Sequence, residues 1–217
     1  MKKCIIIANG KPPRKNLIEF LRKKNYSTII CADGGADSAK KMGIIPDYII
    51  GDLDSINKET LKYFGNKTHI VKINRQNDTD VEKCLKFAIK KKISEAILTG
   101  VTGDRLDHTF CNLGIVLKFF GKIDLKIIAE KSVLIACTGE QYFPAGPGEI
   151  FSIYGFSTGT KITSSGLKYP LKNISLPFGE KESTSNIAIA KTVFLKIKNG
   201  LIFVIRDFNT MKKNGLF

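Results

Sequence analysis

No apolar run in the 217-residue sequence is long enough to cross a bilayer as a helix. Runs such as residues 5–8 and 201–205 fall far short of the roughly 18–20 residues such a span needs. Histidine is scarce: there are two, with no H-E-x-x-H pair, so the common zinc-hydrolase pattern is missing. G-x-S-x-G occurs once, as Gly155-Phe156-Ser157-Thr158-Gly159, among the turns of the second half, where no helical stretch follows to make the nucleophile elbow of a serine hydrolase. The five cysteines (Cys4, Cys31, Cys84, Cys111 and Cys137) stand 26 to 53 residues apart and form no C-x-x-C pair. That spacing excludes a thiolate zinc site and fits reduced thiols in a reducing compartment. Arginine is also rare, with five among 35 cations. The net charge of +15 therefore rests on scattered lysines, neither gathered in one tract nor interleaved with aromatics. Such a pattern reads as a solvated surface whose field favours capture of a polyanion such as a nucleotide; a nucleic-acid stripe or membrane face is the weaker reading. Met1-Lys2-Lys3 imitates the start of a secretory signal, but the apolar stretch behind it closes at Asn9-Gly10, so a cytoplasmic protein is expected.

What is present is the composition of a folded chain, 43% hydrophobic and 25% charged, long enough for one large or two small domains. Short β-branched runs at 4–8, 28–32, 48–50, 69–73, 96–99 and 125–129 alternate with helical stretches at 15–24, 36–42, 58–64, 81–91 and 106–119. Several of the runs are continuously apolar, as strands buried on both faces are, so residues 1–130 read as an α/β domain with a mostly parallel sheet. Beyond, residues 131–217 read as a small, sandwich-like all-β domain of strands between Gly, Pro and Ser turns. Within it, 192–198 and 201–206 flank Asn199-Gly200, the signature of a type I′ hairpin.

Nine of the eleven aspartates fall between residues 33 and 107, mostly just after an expected strand, where open α/β sheets place their ligand crevice. Asp33-Gly34-Gly35-Ala36 joins a strand to a helix and suits either a phosphate cradle or a plain turn. In Gly51-Asp52-Leu53-Asp54-Ser55, two carboxylates one residue apart repel unless a cation lies between them, and their hard oxygens suit Mg²⁺. Asn57 is available to cap the next helix, so neither acid is needed there. Thr79-x-x-Glu82 reads as a capping box that leaves Asp80 in the first helical turn. Gly100-Val101-Thr102-Gly103-Asp104-Arg105-Leu106-Asp107-His108 carries Arg105, a fixed fork of donors, to a helix start, where it can clamp phosphate.

In this order and spacing the segments resemble the thiamine pyrophosphokinase family, whose pattern runs D-G-G-A, G-D-x-D-S, D-x-T-D, G-x-x-G-x-R-x-D-H and later S-N. Ser164-Ser165-Gly166-Leu167-Lys168-Tyr169 and Ser183-Thr184-Ser185-Asn186 continue the resemblance into the second half. Asn77, Asp104 and Ile187 depart from the pattern. The resemblance implies transfer of a pyrophosphoryl group from ATP to the hydroxyl of thiamine. It implies Mg²⁺ on Asp52, Asp54 and Asp80, and Arg105 on the transferring group. Asp33, Gly34, Gly35, Asp78, Thr79 and Lys83 would meet the nucleotide. Asp107 would lie near the substrate hydroxyl, and Ser165, Ser185 and Asn186 would bind thiamine in a homodimer with shared sites. A pterin-like acceptor is the rival enzyme reading, and a basic nucleic-acid binder the rival of another class.

Overall fold

The computed structural model describes residues 1–74, 77–103 and 105–217; Asp104 of the glycine loop lies outside them. The chain divides into two compact units, Met1–Ala129 and Glu130–Phe217.

In the first unit β1 (Lys2–Ile7), β2 (Thr28–Ala32), β3 (Tyr48–Gly51), β4 (His69–Lys72), β5 (Ile93–Thr99) and β6 (Asp124–Ala129) alternate with α1 (Lys15–Lys23), α2 (Gly35–Lys41), α3 (Lys58–Phe64), α4 (Asp80–Lys90) and α5 (Leu106–Lys118). The strands run in the order β6-β5-β1-β2-β3-β4, and every pairing is parallel. Ile5, Ile6 and Ile7 of central β1 are fully buried, as a strand covered on both faces must be. Helix boundaries follow local chemistry. The Asn57 side chain accepts the Glu59 amide at 2.8 Å to cap α3, and Thr79 caps α4 by accepting the Glu82 amide at 3.3 Å. Glu82 does not behave as the capping box predicts: its carboxylate turns to Lys118, 2.7 Å away on α5. An ammonium rewards a carboxylate more than a neutral amide does.

Strand order reverses between β1 and β5, because the chain steps outward from β1 to β4 and then returns to the other side of β1. At such a switch point the loops leaving neighbouring strands diverge and open a crevice at their carboxyl ends.

The second unit contains β7 (Ser132–Pro144), β8 (Ile150–Gly155), β9 (Lys161–Ser165), β10 (Ser183–Ile187), β11 (Thr192–Asp207) and a short terminal helix, α6 (Phe208–Lys213). The expected Asn199-Gly200 hairpin is not formed. β11 runs through it as one long strand antiparallel to β7, with a register shift between Ile197 and Ile202. Asn199 takes φ +59°, but a type I′ turn needs positive φ at both central residues, and Gly200 is not in that region. The result is a bulge. It lets the first half of β11 pair with β9 and the second half with β8, around a core of Phe151, Ile153, Ile162, Leu195 and Val204. The helix α6, capped by Asp207 on the Thr210 amide, was not foreseen in an all-β reading. A buried ion pair also lies here: Arg206 Nε donates to Glu149 at 2.7 Å, with its guanidinium 4.6 Å from the Phe151 ring centroid.

Candidate active site

At the carboxyl ends of the first unit's strands lies a cavity of about 670 Å³, lined by residues that include Asn9, Asp33, Gly34, Asp52, Asp78, Thr79, Asp80, Lys83, Arg105 and His108. This size lies within the usual range for small-ligand sites.

Three acids converge there from three elements. Asp33 follows β2, Asp52 follows β3 and Asp80 opens α4; one oxygen from each lies within 4.8 Å of the others. Asp33 is 2% exposed, stands at φ +43° and accepts the amides of Ile56 at 3.0 Å and Ser55 at 3.4 Å. Burial pushes its carboxyl up to about 6; the Ser55 amide opposes the shift, and the neighbouring charges of Asp80 and Asp52 add to it. Lys83, one turn beyond Asp80, places its ammonium 2.8 Å from Asp80 and 3.3 Å from Asp52. Burial opposes charge on both partners, yet this contact holds Asp52 below its ordinary value and Lys83 above its own. Asp52 Oδ1 is buried and has no hydrogen-bond partner among the described residues.

The D-x-D spacing predicts that Asp52 and Asp54 stand together, but the structure groups Asp52 with Asp33. Leu53 takes φ +69°, and the turn leaves Asp54 exposed, its carboxylate accepting the Ser55 hydroxyl at 3.0 Å. Gly35 also differs in its surroundings from Gly34. A Cβ on Gly35 would stand 2.1 Å from the Ile7 carbonyl oxygen, so its missing side chain serves the packing of α2 on β1, while Gly34 lines the cavity. Asp78 pairs with Lys86 at 2.6 Å. Arg105 and Asp107 are exposed and joined by two bonds, Nε to Oδ1 at 2.9 Å and Nη2 to Oδ2 at 2.5 Å. That contact holds the Asp107 carboxyl well below the usual carboxylate range.

One part of the cavity was not read from the sequence. The Asn9-Gly10-Lys11 loop after β1 pairs with the glycine loop after β5, the Gly10 amide on the Gly100 carbonyl and the Lys11 amide on the Thr102 carbonyl, each at 2.6 Å. Asn112 ties the same loop down by donating to Val101 O at 2.8 Å. The available signal was Asn-Gly closing the apolar run of residues 4–8, at the switch point.

In the second unit Ser165 and Ser185 are exposed, whereas Asn186 is 2% exposed. The Asn186 amide oxygen accepts the Tyr169 and Ile187 amides, and its nitrogen donates to Tyr169 O and Ser183 Oγ. Its donors and acceptors are thus engaged within the unit.

Residues 21–129 match the family described as thiamin pyrophosphokinase, catalytic domain, and residues 141–202 match thiamin pyrophosphokinase, vitamin B1 binding domain. The chain belongs to the thiamin pyrophosphokinase family. It is 29% identical to thiamin pyrophosphokinase 1 of Caenorhabditis elegans, over 97% of this chain and 91% of that protein. It is 28% identical to thiamine pyrophosphokinase of Bacillus subtilis, over 95% of this chain and 99% of that one. The crystal structure of a Bacillus subtilis thiamine pyrophosphokinase superposes with a TM-score of 0.83 at 24% identity, covering 95% of this chain and 99% of that chain. The yeast thiamin pyrophosphokinase structure gives 0.82 at 18% identity, covering 98% and 88%. At such identities the structural likeness establishes the family's fold, an α/β unit followed by a β-rich one.

Proposed function

We propose that this enzyme transfers a pyrophosphoryl group from ATP to the hydroxyl of thiamine, yielding thiamine diphosphate and AMP. The observation that carries the reading is the convergence of Asp33, Asp52, Asp80 and Lys83 at the switch-point cavity of a chain matched to this family in both units. A pterin acceptor or a nucleic-acid ligand has no comparable support.

The donor set suits Mg²⁺: three hard oxygens within reach of one ion and, on Asp52, a buried oxygen with no partner among the described residues. Asp52 and Asp80 would hold the ion with Asp33 beside them, and Asp54 joins only if the turn at Leu53 rearranges. Mg²⁺ bound there neutralises and aligns the phosphates. The remaining work falls to the chain. Gly34, Asp78 and Thr79 border the nucleotide. Arg105 must leave Asp107 to clamp the transferring group with its fork of donors. Asp107, released, orients the thiamine hydroxyl.

The second unit reads thiamine, Ser165 and Ser185 being the side chains free to meet it and Asn186 the residue that holds the segment in shape. A homodimer with shared sites is part of this reading, supported by the exposed Ile150, Tyr169, Phe178 and Ile189 of that unit. A cytoplasmic location is supported by five free cysteines; no helix among the described residues is long and apolar enough to cross a membrane. Offering the enzyme MgATP with thiamine or a hydroxymethylpterin, and identifying products by mass spectrometry, tests the acceptor. Thiamine diphosphate alone is expected; a pyrophosphorylated pterin as main product would overturn it.

A further inference from the structure

The ion pairs of Lys83 differ from the other lysine contacts around the cavity. Its side chain is 3% exposed, against 44% for Lys86 on Asp78 and 53% for Lys118 on Glu82. Its ammonium touches Asp80 and Asp52 at once, two of the three acids whose oxygens could share a metal ion. Enclosing a lysine this fully is costly unless opposite charge surrounds it. Equally, three acids at such separations repel one another unless a cation sits among them. The match is incomplete, since one ammonium faces three acids and Asp52 Oδ1 has no hydrogen-bond partner among the described residues.

From this geometry we propose that Lys83 is the built-in counter-cation of the acid cluster, holding the site together when no metal is bound and competing directly with the divalent ion for Asp52 and Asp80. The inference rests on reading the cluster as the metal site. A magnesium ion held at about 2.1 Å from Asp80 Oδ1 would lie within about 5 Å of the Lys83 nitrogen, itself 2.8 Å from that oxygen. Two cations so close repel strongly inside a protein. Lys83 also lines the cavity, and its unbranched stem lets the ammonium turn from the acids toward an anion there. The site thus exchanges one cation for another and is never left as bare carboxylates.

Thermal unfolding of wild-type, Lys83→Met and Lys86→Met proteins across a Mg²⁺ titration, with EDTA as zero, tests this. Lys83→Met is expected to melt lower than wild type in EDTA, to gain more from Mg²⁺, and to half-saturate at a concentration about tenfold lower. Lys86→Met, which removes an equal charge one turn further along α4, should shift half-saturation by less than about twofold. Equal half-saturation in wild type and Lys83→Met, or equal shifts in both variants, would overturn the competition while leaving the metal site standing. No Mg²⁺ response in wild type would overturn the metal site and the competition together. If Lys83→Met does not fold in EDTA, recovery of its fold by Mg²⁺ supports the proposal. Failure to fold with or without Mg²⁺ moves the decision to wild type, where the lysine side-chain ¹⁵N signal assigned to Lys83 should shift on Mg²⁺ addition; an unmoved signal would overturn the proposal.

Discussion

Gly51 stands so close to Asp33 that a Cβ at position 51 would lie 2.8 Å from the Cβ of Asp33, and 3.1 Å from Asp80 Oδ1. The last residue of β3 is thus glycine because two of the three clustered acids occupy the space its side chain would take. Gly51→Ala is expected to push Asp33 and Asp80 apart. Activity should fall by about a hundredfold or more, while circular dichroism keeps the wild-type spectrum. An alanine variant retaining near wild-type kcat/KM would show that the acids need not converge.

Asp33 makes the metal-free protein sensitive to pH. Its folded-state carboxyl titrates at about 6, above the ordinary 3.8, chiefly because it is buried. The group therefore favours the folded state most at low pH, and that contribution is lost as pH rises through about 6. The shift bounds the effect at about 3 kcal/mol. Urea unfolding in EDTA is expected to show Asp33→Asn gaining stability relative to wild type between pH 5 and pH 8, by about 1–1.5 kcal/mol. A difference that does not change with pH would contradict this origin.

Ser185 and Asn186 are neighbours with separable roles. Ser185 is exposed at φ +56°, and Asn186 is buried with four internal hydrogen bonds. Ser185→Ala should raise the KM for thiamine with little change in Tm. Asn186→Ala should cost about 2–3 kcal/mol of stability, since it strands buried partners. Equal stability of the two variants would place both residues at the surface of the site.

Much of the fold was legible because the first unit's apolar runs, such as Ile5-Ile6-Ile7, are continuous and are separated by helices with clear caps at Asn57 and Thr79. Local pattern failed where long-range pairing decides. Asn199-Gly200 reads as a hairpin, but β8 and β9 both pair along β11 and draw it straight through a bulge. The candidate site was legible as residue types, and its grouping was not. Asp54 lies one residue from Leu53, whose positive φ turns it outward, while Asp33, some twenty residues earlier, arrives because β2 and β3 are paired neighbours. Nor does a capping box announce that Glu82 has a lysine from another helix within reach.

The central claim is that the group transferred is pyrophosphoryl. Following purified enzyme with ATP, thiamine and Mg²⁺ by ³¹P NMR tests it most directly. AMP and thiamine diphosphate should rise together in a one-to-one ratio from the earliest time points. Appearance of ADP and thiamine monophosphate in equal amounts would contradict the account.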